Sequence, residues 1–373
     1  MNKQNYVLIE SLRHELHAHP ELSNHEVWTK QHLIDFLREH TSLEIHDEGK
    51  WFWAVRRAGE GKPNIAFRAD FDALPIEETC DVPYRSQFPG VAHKCGHDGH
   101  SAALCGLGLE LEEMKPDKNV FLLFQHAEET GDGAYEARRF ITENNIEEIY
   151  AFHNQPGRKK DSILIRRGSS HCTSKGMSIE MIGTPTHASL PENGKNPAFA
   201  LAAVTCAIPG FVEPSQYKGL VLCTVIQLDV GELAFGTAAS RGVLRVTIRG
   251  EYEEEMDILQ QKLEELSRKE AEKYGLECNF SYQDWFPQTR NDERCYEKVV
   301  AAAAALGYEC DPNRALNRGS EDFGHYQKLT RGAIFHIGGG ENVPNFHTSD
   351  FDFTDSTMET AVEMFKKLID MME

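Results

Sequence analysis

His93-Lys94-Cys95-Gly96-His97-Asp98-Gly99-His100 packs three histidines, a cysteine, an aspartate and two glycines into eight residues. Imidazole and thiolate are the usual ligands of borderline divalent ions such as Zn²⁺, and carboxylates serve them too. The glycines let the backbone bend close to an ion. Residues 101–114 follow with Leu104, Leu107 and Leu111 at helical spacing, so the cluster sits at or before a helix N-terminus. The helix dipole there is expected to lower the pKa of Cys95 and favour the metal-binding thiolate. Cys-x-His is a short signal, and the rest of the chain has to supply the missing ligands.

Working outward, residues 5–18 read as a helix ended by Pro20, and Asn24 is placed to cap a second helix over 25–39. His14 and His17 lack the four-residue spacing of a zincin motif and read as surface or helix-end residues. The period then changes. Residues 51–58, 64–70, 119–125 and 148–152 read as strands, with helices over 101–114 and 133–144 between them. This alternation predicts an α/β class, with a sheet covered by helices. Asp70, Glu128, Glu129 and His153 fall at the C-terminal ends of these strands, the edge where open α/β sheets bind ligands. Glu128 and Glu129 are adjacent, and an extended backbone there would send one to a metal and the other to substrate.

The middle of the chain differs. Strands over 177–183, 220–229, 242–249 and 277–282, with helices over 197–208 and 254–273, give the order β-α-β-β-α-β, the ferredoxin-like arrangement. The domains are therefore 1–174, an inserted 175–285, and 286–373. The last part carries a helix over 296–306, a helix opened by Ser320 with Glu321 and Asp322 as capping residues, a strand over 333–337, and a closing helix over 355–372. His347 lies in the Asn345-Phe346-His347-Thr348 loop.

The formal charge of −20 over 373 residues argues against a nucleic-acid partner. No apolar run reaches the roughly 18–20 residues of a membrane span. The N-terminus moves straight into an amphipathic helix without a signal core, which points to a cytoplasmic protein. Nine scattered cysteines read as reduced thiols, eight of them small core residues and Cys95 the one with a chemical task.

Cys95, His97, Glu128, Glu129, His153 and His347 exceed the needs of one tetrahedral ion. They suit a two-metal hydrolytic site with one carboxylate left over as a base. With His17-Ala18-His19-Pro20-Glu21-Leu22, Arg68-Ala69-Asp70-Phe71-Asp72-Ala73-Leu74-Pro75, Cys95-Gly96-His97-Asp98-Gly99-His100, Glu128-Glu129-Thr130-Gly131, Ala151-Phe152-His153, Ser320-Glu321-Asp322-Phe323 and Phe346-His347 in this order, the chain resembles the M20 metallopeptidases and aminoacylases. Within them it is similar to the amidohydrolase branch of hippurate hydrolases, auxin-conjugate hydrolases and N-acetyl-diaminopimelate deacetylases. The resemblance implies a zinc-exopeptidase-like catalytic domain with a mixed sheet and an inserted dimerisation (lid) domain. It implies two divalent ions per subunit (Zn²⁺, Mn²⁺, Ni²⁺ or Co²⁺) held by Cys95, His97, Glu129, His153 and His347, with Glu128 as general base and acid. By the same resemblance His187, in Gly183-Thr184-Pro185-Thr186-His187, reaches a partner subunit's site and helps hold the oxyanion. Asp70 orients the site from behind the ligands. The implied substrate is an N-acyl amino acid, and the implied assembly is a homodimer or higher homo-oligomer. A dipeptidase or carboxypeptidase on the same scaffold, or a metal-binding homologue without activity, are the alternatives.

Three positions depart from the family pattern or stand apart from it. Phe235-Gly236-Thr237-Ala238-Ala239-Ser240 replaces an Asn-Val-Ile-Pro-like segment. Lys94 stands where a small residue is usual; it either sets specificity or, the preferred expectation, points to solvent. Arg249 is a candidate for a substrate carboxylate.

Overall fold

A computed structural model describes residues 1–372 and divides them into two compact units. The first comprises Met1–Ser170, Thr289–Leu316 and Asp322–Glu373, and the second His171–Gln288 with Asn317–Glu321. No helix among the described residues is long and apolar enough to cross a membrane.

The first unit is built on an eight-stranded mixed sheet. Its centre is parallel: Asn64–Asp70 lies between Asn119–Gln125 and Glu148–Pro156, and Arg331–Gly340 pairs parallel with Glu148–Pro156. Antiparallel Phe52–Arg56 and Glu44–Asp47 extend one side. The apolar runs in the central strands follow from burial on both faces. Ile65, Phe67, Val120, Leu122 and Phe124 pack with the helices Lys3–Ala18, His97–Met114, Glu293–Leu306 and Thr357–Met371. Ala66, Phe121, Leu123, Ile149 and Ala151 point the other way, against Trp51, Trp53, Phe140, Phe323 and Tyr326. The result is a mixed α/β fold with a covered sheet.

The second unit has the order β-α-β-β-α-β. Its antiparallel sheet runs Val221–Val230, Arg241–Gly250, Thr173–Ile182, Glu277–Phe286. Helices Ala198–Phe211 and Glu253–Tyr274 close its core over Met177, Ile179, Leu244 and Val246.

Several local expectations fail because other side chains, most of them far away in sequence, take the groups. Asn24 does not cap the second helix, which begins at Trp28; the Glu21 carboxylate accepts from the Trp28 and Thr29 N–H groups at 3.2 and 2.8 Å. His17 is not at the surface but buried between the Asp98 and Glu78 carboxylates. The helix expected from Ser320 is only Gly324–Gln327, and Ser320 instead bonds Ser174 (2.7 Å). Asp322 is no capping residue either. Its buried carboxylate accepts from Arg68 Nη2 (2.7 Å), Gln125 Nε2 (2.7 Å) and the Ala134 N–H (2.8 Å). Of the cysteines expected in the core, Cys105, Cys172 and Cys295 are buried, but Cys206 is exposed and Cys80, Cys223, Cys278 and Cys310 are half-buried.

Arg68 binds the sheet edge together. Its Nε reaches Gln125 Oε1 (2.8 Å), Nη1 reaches Asp70 Oδ2 (2.6 Å) and Nη2 reaches Asp322. Removing one member of a buried ion pair strands the other charges, at about 3–5 kcal/mol. Arg68→Met should therefore lower unfolding stability by about that amount, read as a fall in the midpoint of urea denaturation. An unchanged midpoint would deny this hub its role.

Candidate metal centre

The site grows from two strand ends, the interior of a third strand and two loops of the first unit. The Asn64–Asp70 strand delivers Asp70 and, just past its end, Asp72. After the Asn119–Gln125 strand the backbone turns, with Ala127 at φ 47°, and presents Glu128 and Glu129. Glu148–Pro156 carries His153 within the strand rather than at its end. Cys95 precedes the helix His97–Met114. Gly96, the cap of that helix, sits at φ 110°, where a Cβ would lie 2.5 Å from Asn154 Oδ1. Only glycine lets the Cys95 loop close onto the His153 strand there.

These elements bring the metal-type donors into overlapping groups. Cys95, His97 and His153 offer ligand atoms within 4.8 Å of one another, as do Cys95, Glu129 and His347, and also His97, Glu128 and Glu129. Cys95 Sγ is 3.6 Å from His153 Nε2, and His347 Nε2 is 3.5 Å from Glu129 Oε1. His97 Nε2 lies 3.9 Å from Asp70, Glu128 and Glu129 oxygens alike. Glu128 and Glu129 thus converge on one imidazole instead of diverging, because they stand on a turn and not on extended chain. His347 is half-exposed, with a side chain 51% accessible, whereas His97 is fully buried.

The surroundings fix the orientation of the donors. His97 Nδ1 faces two acceptors, the Asp72 carboxylate and the Asp72 carbonyl, each at 3.0 Å. It must therefore carry the proton, which leaves Nε2 to the cluster. His153 Nδ1 is likewise engaged by the Asn154 carbonyl (2.8 Å). Asp72 also accepts from the Glu129 N–H (3.0 Å) and from Ser23 Oγ (2.7 Å). Asp70 meets Arg68 and His100 Nδ1 (2.6 Å), and His100 continues to Asn154 (2.7 Å). Asp72 and His100 lie inside the sequence motifs without a role assigned to them there. The signal for Asp72 was present, since Asp70 and Asp72 are two apart at a strand end and flank an apolar residue.

Two buried atoms of this cluster, His97 Nε2 and Glu129 Oε1, have no hydrogen-bond partner. Buried polar atoms are rarely left so, and a nitrogen lone pair and a carboxylate oxygen facing one spot suit a cation. The electrostatics of these side chains by themselves favour protons on two of the donors. Burial raises Cys95 well above the usual thiol range, and the Glu129 charge adds to it. That overturns the expected dipole-lowered thiol: desolvation beside carboxylates outweighs the dipole. His97 is pushed down by burial, but Asp70, Cys95 and Asp72 outweigh that and raise it well above the ordinary imidazole value. Burial and then His100 hold His153 well below it. A divalent charge here reverses the conditions for Cys95 and His97, because both bind metal deprotonated.

The profile of peptidase family M20/M25/M40 matches residues 66–371. The chain belongs to that family. As an M20 protein it is a hydrolase acting on amide bonds, and its donor cluster suits divalent metal. The N-acetylcysteine deacetylase of Bacillus subtilis is 27% identical over 366 residues, covering 96% of this chain and 95% of the relative. The hippurate hydrolase of Campylobacter jejuni is 27% identical over 369 residues, with 96% and 95% covered. The solved structure of the Bacillus subtilis YxeP protein, described as a dinuclear metal-binding peptidase of family M20, aligns with a TM-score of 0.85 at 25% identity, over 99% of this chain and 98% of that one.

The other expected site residues lie in the second unit. His187 is exposed, pairs with Thr237 across a short two-stranded sheet, and has Nδ1 on Ser189 Oγ (2.7 Å). Arg249 donates to Ser320 Oγ (2.5 Å). Lys94 does not reach solvent at all; it is buried against Glu78.

Behind the cluster, Glu26 accepts from the Ala127 N–H (2.7 Å). Burial first, and then the Asp72 charge, raise it from 4.5 to about 8. The folded chain then keeps a proton that the unfolded chain loses between these values, so this group's contribution to stability falls as pH rises from 4.5 to about 8. Glu26→Gln keeps the acceptor and lacks the titration. Relative to wild type, its melting temperature should gain at least about 2 °C between pH 5 and pH 8, given that ~1 kcal/mol shifts a domain of this size by 2–4 °C. Parallel pH profiles for the two proteins would refute the assignment.

Proposed function

We propose that the chain removes an N-acyl group from an N-acyl amino acid by metal-dependent hydrolysis. The observation that carries this reading is Glu128, a carboxylate only 7% exposed that stands beside the His97–Glu129 pair and adds one more acid than a ligand set needs. Cys95, His97, Glu129, His153 and His347 would hold two divalent ions. Such ions, when bound, lower the pKa of a water and polarise a carbonyl oxygen. Glu128 would take the proton of the attacking water as its oxygen bonds the acyl carbon. It would return the proton to the amide nitrogen as the C–N bond breaks, giving a carboxylate and a free amine. Asp72 and Asp70 would keep His97 in register. Relatives named for N-acetylcysteine and hippurate support a small N-acyl amino acid as substrate. The nine cysteines, all free, support a reducing, cytoplasmic setting.

The second unit would serve as the dimerisation and lid domain. Its outer strand Val221–Val230 leaves one edge unpaired in the sheet and exposes Val225, Ile226 and Leu228, the kind of edge that pairs with a second copy. His187, exposed and steadied by Ser189, would enter the partner's site and hold the tetrahedral oxyanion.

A panel of N-acetyl and N-benzoyl amino acids, with dipeptides alongside and with metal-stripped and metal-restored protein compared, tests the chemistry. Metal-restored release of the free amino acid should fall by about 10²–10⁴-fold in Glu128→Gln, with metal content retained. Cleavage of dipeptides alone would make the protein a peptidase instead. Mixing the inactive Glu128→Gln and His187→Ala proteins under subunit exchange should restore activity, because one site of each mixed dimer regains both groups. No recovery would place His187 outside the partner's site.

A further inference from the structure

His347 is the least well-held of the proposed ligands. Its side chain is half-exposed, its φ is +59°, and its loop contains neither helix nor strand. A left-handed non-glycine residue persists only where its surroundings over-determine it. Thr79 and Cys80 bond Ser349 and Phe351 of this loop, and Lys94 bonds both His347 itself and Phe351. The Lys94 carbonyl accepts the His347 N–H at 2.8 Å, and the Lys94 ammonium donates to the Phe351 carbonyl at 2.7 Å. One residue thus grips the His347 loop twice, four residues apart, by main chain and by side chain.

The ammonium is fully buried and has three acceptors for its three protons: Phe351 O, Glu78 Oε1 (2.7 Å) and Cys80 Sγ (3.4 Å). Glu78 is held in turn by His17 Nε2 (2.9 Å) and the Ser86 N–H (2.7 Å). His17 leads to Asp98, and Asp98 to Arg13 in the first helix. The grip on the loop is therefore anchored in the core. Lys94 also directly precedes Cys95, whose sulfur shares a group with Glu129 and His347.

We infer that Lys94 is a positioning residue that holds His347 beside Cys95 and Glu129, so that this corner of the centre can retain its ion. The inference rests on the ligand assignment made above. It concerns this chain's own lysine, and it gives that departure from the family pattern a task.

Metal affinity and ions per chain, measured against a chromophoric chelator with Zn²⁺ or Mn²⁺ and without substrate, test it. The proteins are wild type, Lys94→Met, Lys94→Arg, His347→Ala and the double variant Lys94→Met/His347→Ala. Lys94→Met should weaken one ion about 10–100-fold, as loss of a ligand's supporting partner does, and leave the other unchanged. Lys94→Arg, which retains donors, should recover part of the loss. The double variant should bind no worse than His347→Ala alone, because a residue acting through His347 has nothing left to position. A loss that adds fully to that of His347→Ala would overturn the inference, as would wild-type affinity in Lys94→Met. Should Lys94→Met fail to fold by circular dichroism, the Lys94→Arg pair with and without His347→Ala carries the same comparison. If His347→Ala binds like wild type, the ligand assignment falls and the inference with it. If His347→Ala loses an ion and Lys94→Met does not, only the inference falls.

Discussion

Buried negative charge is the constraint under which the first unit is built. Asp70, Asp72, Asp98, Glu128 and Asp322 all lie out of solvent around one end of the sheet. A carboxylate in such a place is tolerable only when paired and hydrogen-bonded. The chain answers with three buried cations, each shared among several acids or carbonyls. Arg68 serves Asp70 and Asp322, Arg13 serves Asp98, Asp352 and Asp355, and Lys94 serves Glu78. Around His97 the Glu129 oxygen and the imidazole nitrogen, neither of them hydrogen-bonded, lie 3.9 Å apart. Two unsatisfied ligand-type atoms at one spot suit a divalent ion better than they suit a merely polar core.

Much of this architecture was legible before any coordinates. The central strands read from apolar runs bounded by charge, and Asn64–Asp70 and Asn119–Gln125 fall where those runs lie. The candidate ligands read as residue types placed at strand ends, and the structure brings them into mutually overlapping groups. Periodicity and residue chemistry are local properties, and these features are local in origin.

Most of what stayed hidden depends on partners remote in sequence, though the cap of the second helix depends on a near one. Asp322 looks like a helix cap beside Ser320 until Arg68, 254 residues away, is seen to claim it. Lys94 reads as solvent-facing because nothing near it in sequence suggests Phe351 as an acceptor. Asn24 has the right chemistry for a cap, yet Glu21 reaches the free N–H groups of that helix first. Cys95 shows the same lesson in electrostatics. Its position before a helix argues for a low pKa, and only the folded unit reveals the burial and the carboxylate that reverse the sign.

These distances bear on how the chain is made. The second unit is nearly continuous, from His171 to Gln288 with one short later piece, and most of its core is complete once that stretch has left the ribosome. The first unit has no such chance. Arg13 emerges early and meets Asp352 339 residues later, and Lys94 waits 257 residues for Phe351. At roughly 5–20 residues per second, the nascent chain carries these charges without their final partners for on the order of 10–70 s. During that interval the half-built sheet, apolar on both faces, lacks its last covering helix. Protection of the growing polypeptide thus becomes a demand written by the same long-range pairs that hold the finished centre together.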